Sequence, residues 1–514
     1  MLLNISYLIS LYPLNILLKY KCSCADYHYM QAITSSRMAA IDANCEYLGI
    51  KRLQLMENAG AAVARAVKER IRSGSVVIIA GRGNNGGDAF VAARHLSEYD
   101  VTVILLGKKE DIKTPQARHN WNALEKTSIR LIEGTNSTDF DHSILEKARV
   151  IIDGIFGTGV RGKIHDPEST FIDHINDSGA FVLSVDVPSG FDPDGGDFEK
   201  AVHAELTITF HKMKAGLLTE NAHKYTGEVS VVDIGIPAEA EFFIGPGDIQ
   251  PFLIRPKMSH KGDAGRVLIL GGGPYSGAPA LAALGALRAG ADIVTVASPK
   301  SVSDIIASFS PNLIVKKLHG DILTEDDIPI LARLIEKHDV VVMGMGLGNA
   351  EETLLAIKKI IPLCKKAVID ADALSSRFVP LFNKNIIITP HAAEMKRVSG
   401  RDVPTEQKER IGFINDFAKK NEVTVLLKGA IDIISDGSEV RANRTGNSGM
   451  TVGGTGDVLA GLVGALFAGC KSPLEAAACG AFINGAAGDL AFAEFGYGLL
   501  ATDIIDCIPM VMKQ

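Results

Sequence analysis

NRTGNSGMTVGGTGDVLAG, residues 443–461, is the stretch on which the reading of the fold turns. It starts at the end of an apparent strand, passes through glycines and enters a helix. Val458, Leu459, Leu462, Val463, Leu466 and Phe467 recur at helical spacing, with Gly461 and Gly464 between them. Gly453, Gly454, Thr455 and Gly456 therefore fall at a helix N-terminus. Free backbone N–H groups and the positive end of the helix dipole favour an anion there, and glycine admits a phosphate closely. Asp457 follows at once. A carboxylate beside an anion site repels the ligand unless it has a task. The task that fits is taking a proton from a hydroxyl as its oxygen attacks phosphorus. The plainer reading is a glycine-rich cap with Asp457 as a favourable first-turn charge.

Upstream, apolar runs read as buried strands at RVLILGG (266–272), IVTVA (293–297), LIVKKL (313–318), VVVMG (340–344), AVIDAD (367–372), NIIITP (385–390) and VTVLLKG (423–429). A hairpin with turn chemistry at Asp436 and Gly437 follows, and helical patterns over 454–468, 473–495 and 502–512 close the chain. Residues 76–234 carry an earlier series: VVIIA (76–80), VTVILL (101–106), RVIID (149–153), FVLSVD (181–186), ELTITF (205–210) and EVSVVDI (228–234). Residues 31–72 read as two helical pieces broken near Gly49. Strands alternating with helices predict α/β architecture, with doubly wound, mainly parallel sheets. Between the series lies a Pro- and Gly-rich stretch of little periodicity, which sets a boundary near Ile244. The expected organisation is 1–29, an extension or misassigned start; 30–240, a Rossmann-like domain; and 245–514, a second α/β domain.

At about 150 residues per domain, 514 residues allow two or three. Apolar content of 46% and charged content of 22% are those of ordinary globular protein. A net charge of −7 without basic blocks argues against nucleic acid as a partner. The 7 cysteines are scattered with no CxxC pair, which fits reduced thiols in the cytoplasm and neither a disulfide nor a zinc framework. Residues 1–18 are apolar but broken by Asn4, Ser6, Ser10 and Asn15. Lys19 and Lys21 follow the apolar run where a secretory signal would carry its charge in front, so neither a signal nor a membrane span is expected.

Two constellations carry chemistry. In the first, Gly81, Gly83 and Gly86 make a GxGxxG that leaves a strand and enters a helix. The next strand ends in Leu106, Gly107 and Lys108, with no acidic residue to hold a ribose hydroxyl, which makes a plain NAD dehydrogenase a poor fit. Asn84, Asn85 and Asp88 add polar groups, and Asp153, Asp186 and Ser189 stand at two further strand ends. In the second, glycine loops at 271–273 and 344–348, His391 with Glu394, and Lys428 all lie at strand ends near GGTGD. They form a plausible nucleotide-phosphate site that is not a Walker A loop. Asp370 and Asp372 read as helix caps, and Lys428 could equally be a solvated strand end.

Residues 31–236 resemble the N-terminal epimerase domain of the bifunctional NAD(P)H-hydrate repair enzymes. LMENAG (55–60), GRGNNGGDAF (81–90), DGIFGTGVRG (153–162) and DVPSGFD (186–192) carry that resemblance, in order. Residues 257–514 resemble the ribokinase-like superfamily. More closely they are similar to the ADP- or ATP-dependent NAD(P)H-hydrate dehydratases, through KGDAGRVLILGG (261–272), YSGAPALAA (275–283), DADAL (370–374), TPHAAEM (389–395), LLKG (426–429) and NSGMTVGGTGDVLAG. The resemblance implies substrate contacts from Asn84, Asn85, Gly86, Gly87, Asp88, Gly157, Thr158, Gly159, Val160, Arg161, Gly162 and the catalytic Asp186 in the epimerase half. It implies potassium at Asn85, Asp153 and Ser189. For the dehydratase half it implies hydrate contacts from Ala278, Gly346, His391 and the catalytic Asp457. Adenine-nucleotide contacts would come from Lys428, Gly429, Ala430, Ile431 and Asp432, and from Asn447, Ser448, Gly449, Met450, Thr451, Val452, Gly453, Gly454, Thr455 and Gly456. Magnesium would accompany ADP or ATP. His391 stands where ribokinase-like kinases often have the Asn of an Asn-x-x-Glu, so direct magnesium binding by Glu394 does not follow. The expected partners are NADHX or NADPHX and an adenine nucleotide, with no nucleic acid or membrane, in a cytoplasmic homo-oligomer. The competing reading is a ribokinase-like small-molecule kinase carrying a non-catalytic N-terminal binding domain.

Overall fold

The computed structural model describes residues 32–513, apart from 136–140, 142, 160–161, 197 and 257. The expected extension over 1–29, and Val160 and Arg161, lie outside the described residues. The chain forms two compact units, one ending at Ala240 and one beginning at Glu241.

In the first unit, helices Ser35–Tyr47 and Arg52–Arg70 flank the expected break at Gly49, whose φ of 91° suits glycine. The strands are β1 (Ser75–Ala80), β2 (Asp100–Leu106), β3 (Arg130–Gly134), β4 (Val150–Gly154), β5 (Phe181–Val185), β6 (Leu206–Phe210) and β7 (Glu228–Val232). They pair in the order β3-β2-β1-β4-β5-β6-β7, all parallel, the doubly wound arrangement the alternation predicts. Strand β3 was not expected. It is an edge strand with mixed burial, and RLIEG lacks the long apolar run of the inner strands. Register places Ile79 beside Asp153, and Asp153 beside Ser184, so the carboxyl ends of β1, β4 and β5 lie side by side. The order reverses between β1 and β4, which is where ligands bind in open α/β sheets.

The second unit holds β8 (Arg266–Leu270), β9 (Ile293–Ser298), β10 (Ile314–Lys317), β11 (Val340–Met343), β12 (Ala367–Ile369), β13 (Ile386–Ile388), β14 (Thr424–Leu427), β15 (Asp432–Ser435) and β16 (Val440–Asn443). Their order is β10-β9-β8-β11-β12-β13-β14-β15-β16. All pairs are parallel until the expected hairpin, where β14, β15 and β16 run antiparallel. Adjacent β12, β13 and β14 deliver Asp370, His391 and Lys428 to one edge.

The helix Thr455–Gly469 lies against the helix Gly277–Arg288. Gly461 makes that approach possible: a Cβ there would sit 1.8 Å from the Ala282 carbonyl oxygen. Gly464 is likewise pressed on Val342. Gly461→Ala is therefore expected to destabilise this unit by about 3 kcal/mol, as an overpacked core does, and a lowered Tm would register it. Pro473–Gly498 is apolar and long enough to cross a membrane, yet 72% of that window is buried in the protein, as in a core helix.

Candidate active sites

In the first unit, the chain leaves β1 at Gly81 and enters the helix Asn84–His95 with Gly83 as its N-cap. Two glycines let the first turn sit against neighbouring backbone. A Cβ on Gly86 would lie 1.9 Å from the Gly81 carbonyl oxygen, and one on Gly81 would lie 2.0 Å from that of Ile155. Asn84, Asn85 and Gly86 thus open the helix at the mouth of the sheet, ahead of its first backbone hydrogen bond, in which the Gly87 amide donates to the Gly83 carbonyl at 3.1 Å; Asp88 follows one residue later.

Asp153 ends β4 fully buried. Its carboxylate accepts from Ser184 Oγ (2.8 Å), the Ser189 amide (2.8 Å), Ser189 Oγ (2.5 Å) and the Ile155 amide (3.3 Å). Burial pushes this carboxyl above its ordinary value, with the Ser189 and Ser184 bonds opposing the shift. All four donors are neutral. Asn85 is buried close by: its Oδ1 is 3.0 Å from where a Gly157 Cβ would stand, and its Nδ2 has no hydrogen-bond partner.

Asp186 follows β5 at φ 67°, in the left-handed region where Asp and Asn are the commonest non-glycine residues. Its Oδ1 is paired with Lys214 Nζ at 2.7 Å and accepts from Thr209 Oγ1 at 3.1 Å. Lys214 is fully buried and also donates to Thr209 Oγ1 (3.0 Å) and the Phe210 carbonyl (2.8 Å). A cavity of about 760 Å³ gathers Asn84, Asn85, Asp88, Gly157, Thr158, Gly159 and Asp186, large enough for a dinucleotide-sized ligand. Gly162, by contrast, lines a second cleft of about 890 Å³ in the same unit. Arg52, Arg82, Lys113 and Lys163 add positive charge to the first cavity's wall. Arg82 lies inside GRGNNGGDAF, whereas Arg52, Lys113, Lys163, Asp42 and Lys214 belong to none of the motifs.

In the second unit, Gly454 is the N-cap of Thr455–Gly469 at φ 97°, and Asp457 stands in the first turn. Thr455 Oγ1 donates to the Met450 carbonyl at 2.9 Å, closing the loop on the helix start. Lys428 does not dangle in solvent. Its Nζ lies 2.9 Å from Asp370 Oδ1 and 3.6 Å from Glu394 Oε2, and 3.3 Å from where a Gly456 Cβ would be. Burial disfavours its charge, but Asp370 and Glu394, with Asp457 behind them, hold the ammonium above its usual value. Burial also pushes the Asp457 carboxyl up to about 7, reinforced by Asp370 and opposed by Lys428.

Neither Asp370 nor Asp372 serves as a helix cap. Asp370 precedes a short 3-10 turn without capping it and pairs Lys428, while Asp372 Oδ2 accepts from the Gly348 amide at 2.8 Å. His391 is an N-cap: its Nδ1 accepts from the Ala393 and Glu394 amides, and Glu394 returns a bond to the His391 amide at 2.8 Å. Gly346 takes a positive φ of 69° against Tyr275, in the loop preceding Ala278. Asp432 accepts from the Gly429 amide (2.9 Å) and Asn443 Nδ2 (3.0 Å), and burial lifts its carboxyl to about 6. Asn447 Oδ1 accepts from the Gly449 amide (2.9 Å), and its Nδ2 donates to Asp489 Oδ1 (2.9 Å). Asp489 also accepts from the Gly446 amide (3.0 Å), so the helix Pro473–Phe495 braces residues 446–449. Asp489 lies outside every motif.

An open cradle of N–H groups, a half-buried lysine paired with carboxylates and a carboxyl raised to about 7 define an α/β enzyme acting on a nucleotide and a hydroxyl. A dinucleotide-sized cavity on a separate doubly wound sheet gives the same chain a second site. Comparison with known proteins agrees. The family described as NAD(P)H-hydrate dehydratase matches residues 267–510, and that described as YjeF-related protein N-terminus matches residues 52–216. The bifunctional NAD(P)H-hydrate repair enzyme of Archaeoglobus fulgidus is 47% identical over 93% of this chain and 98% of its own. That of Pyrobaculum aerophilum is 43% identical over 94% and 99%. Among solved structures, the ADP/ATP-dependent NAD(P)H-hydrate dehydratase of Bacillus subtilis, co-crystallised with ATP and Mg2+, is 29% identical over 51% of this chain and 93% of its own, at a TM-score of 0.45. The chain belongs to the family of bifunctional NAD(P)H-hydrate repair enzymes.

Proposed function

We infer that this chain repairs hydrated nicotinamide cofactors, the unit ending at Ala240 interconverting R- and S-NAD(P)HX and the unit from Glu241 dehydrating the S form to NAD(P)H. The observation that carries the second activity is Asp457 beside Lys428 at the glycine-lined start of Thr455–Gly469. Asp457 takes the proton of the C6 hydroxyl as that oxygen attacks the terminal phosphorus of ADP or ATP. The N–H groups of Gly454, Thr455 and Gly456, with the Lys428 ammonium, offset the charge on the transferring phosphoryl group. Loss of phosphate from C6 and of a proton from C5 then forms the ring double bond. The products are NAD(P)H, AMP or ADP, and inorganic phosphate. Ala278, Gly346 and His391 face the hydrate in this reading, and residues 428–432 and 447–456 the nucleotide.

Asn85, Asp153 and Ser189 fit potassium through their oxygens: the buried Asp153 carboxylate meets only neutral donors, so a cation there would supply its countercharge. The ion would neutralise Asp153 and tie the ends of β4 and β5 to the first turn of Asn84–His95. Potassium is expected to raise the Tm of this unit by several degrees over equimolar choline, with the rise absent in Asp153→Asn. Magnesium has no dedicated cage. No group of three or more His, Cys, Asp or Glu suited to a metal occurs among the described residues, and Asp370 and Glu394 are engaged by Lys428. The nucleotide's own phosphates would hold it.

Product analysis separates this reading from a small-molecule kinase. With S-hydrate and ADP, inorganic phosphate and reduced nicotinamide should appear in equal amounts; a stable phosphoester would point to a kinase.

A further inference from the structure

The epimerase reading gives no task to Asp42, a carboxyl that lines the cavity. Asp42 projects from the helix Ser35–Tyr47 into the cavity that also receives Asp88, Asp186 and Lys214. Epimerisation at C6 requires an acid for the departing hydroxyl and a base for the incoming water. Asp186 is fixed by Lys214 and Thr209 through one oxygen, Oδ1. The two carboxyl groups reach the cavity from different elements, Asp42 from the helix Ser35–Tyr47 and Asp186 from the end of β5. We propose that Asp42 is the second acid–base residue of the epimerase site, donating the proton that releases the C6 hydroxyl while Asp186 receives the proton of the incoming water.

The step balances without an oxidant or a metal. Asp42 protonates the C6 oxygen, the C6–O bond breaks with its electron pair leaving on water, and the N1 lone pair forms an N1=C6 iminium. A water adds to the opposite face, re-forming C6–O and passing its proton to Asp186. That proton returns to Asp42 through cavity water. One water leaves and one enters. The surroundings suit the donor. Burial holds the Asp42 carboxyl up at about 6; Asp186 raises it, while Arg52 from Arg52–Arg70, together with Lys214 and His211, lowers it. Asp88, facing the same group from Asn84–His95, is itself pushed well above its ordinary value by burial and by Asp186 and Asp42. The protonated donor is depleted as pH rises past about 6, so R-hydrate turnover should fall on that limb.

The proposal rests on the epimerase reading of this unit, and the test separates the two. Full-length wild type, Asp42→Asn and Asp42→Glu are given R-hydrate with ADP, the uncatalysed rate is subtracted, and the same chains are given S-hydrate. Asp42→Asn should lose about 100-fold in kcat for the R form with KM within threefold, and should lose the pH limb. Asp42→Glu should restore the limb and part of the rate, and S-hydrate repair should be unchanged in both. R repair by Asp42→Asn within threefold of wild type, or its loss with no rescue by Glu, overturns the role of Asp42. Wild type that repairs only the S form overturns the epimerase reading itself.

Discussion

Asp457→Asn is expected to lower dehydration of the S-hydrate by about 10³-fold while nucleotide affinity stays within about twofold, as removal of a general base requires. Asparagine keeps the shape of the first turn and the N–H groups of Gly454, Thr455 and Gly456, so the cradle persists. Only proton acceptance disappears. The same carboxyl sets a pH limb. Because it is raised to about 7 by burial and Asp370, the base form is depleted as pH falls below that value. Turnover should drop about tenfold per unit toward acid and level off above pH 8. Steady-state rates on S-hydrate against pH, with nucleotide binding by calorimetry, check both statements. A variant with undiminished turnover would remove Asp457 from the base role.

Asp186→Asn should abolish repair of the R form, a loss of at least about 10²-fold, and leave S-hydrate repair at the wild-type rate. The conformation at φ 67° makes asparagine the better probe, since it shares aspartate's tolerance of the left-handed region whereas alanine adds strain. Substitution also strips the buried Lys214 ammonium of the one carboxylate within 4 Å of it among the described residues, leaving Thr209 and the Phe210 carbonyl. An unpaired buried charge costs about 3–5 kcal/mol, so a lower Tm of this unit should accompany the lost activity. Unchanged S-hydrate repair by the same molecules shows that the remaining unit is intact. Full R repair in this variant would exclude Asp186 from the reaction.

Glycine was the most legible signal. Gly81, Gly86, Gly454 and Gly461 each mark a place where backbone approaches backbone or φ turns positive, and those places organise both sites. The inner strands were equally plain, because strands covered on both faces read as unbroken apolar runs. Less accessible was anything created by tertiary pairing. Lys428 reads as a solvated strand end until Asp370 arrives from the end of β12 and Glu394 from the helix that follows β13. Asp370 looks like a cap for the same reason. Asp42, Lys214 and Asp489 lie far along the chain from the motifs they serve and have no spacing signature. Strand β3 escaped because an edge strand needs little apolar content.

The central claim is that one chain repairs both epimers, and a single time course tests it. Full-length protein is mixed with R- and S-hydrate and ADP, or ATP in a parallel arm, and absorbance at the reduced-nicotinamide band is followed to completion. The account predicts recovery of the whole pool, with inorganic phosphate released in step and the R fraction converted faster than its spontaneous epimerisation allows. A plateau at the S fraction would contradict the epimerase assignment, and phosphorylated product without reduced nicotinamide would contradict the dehydratase assignment.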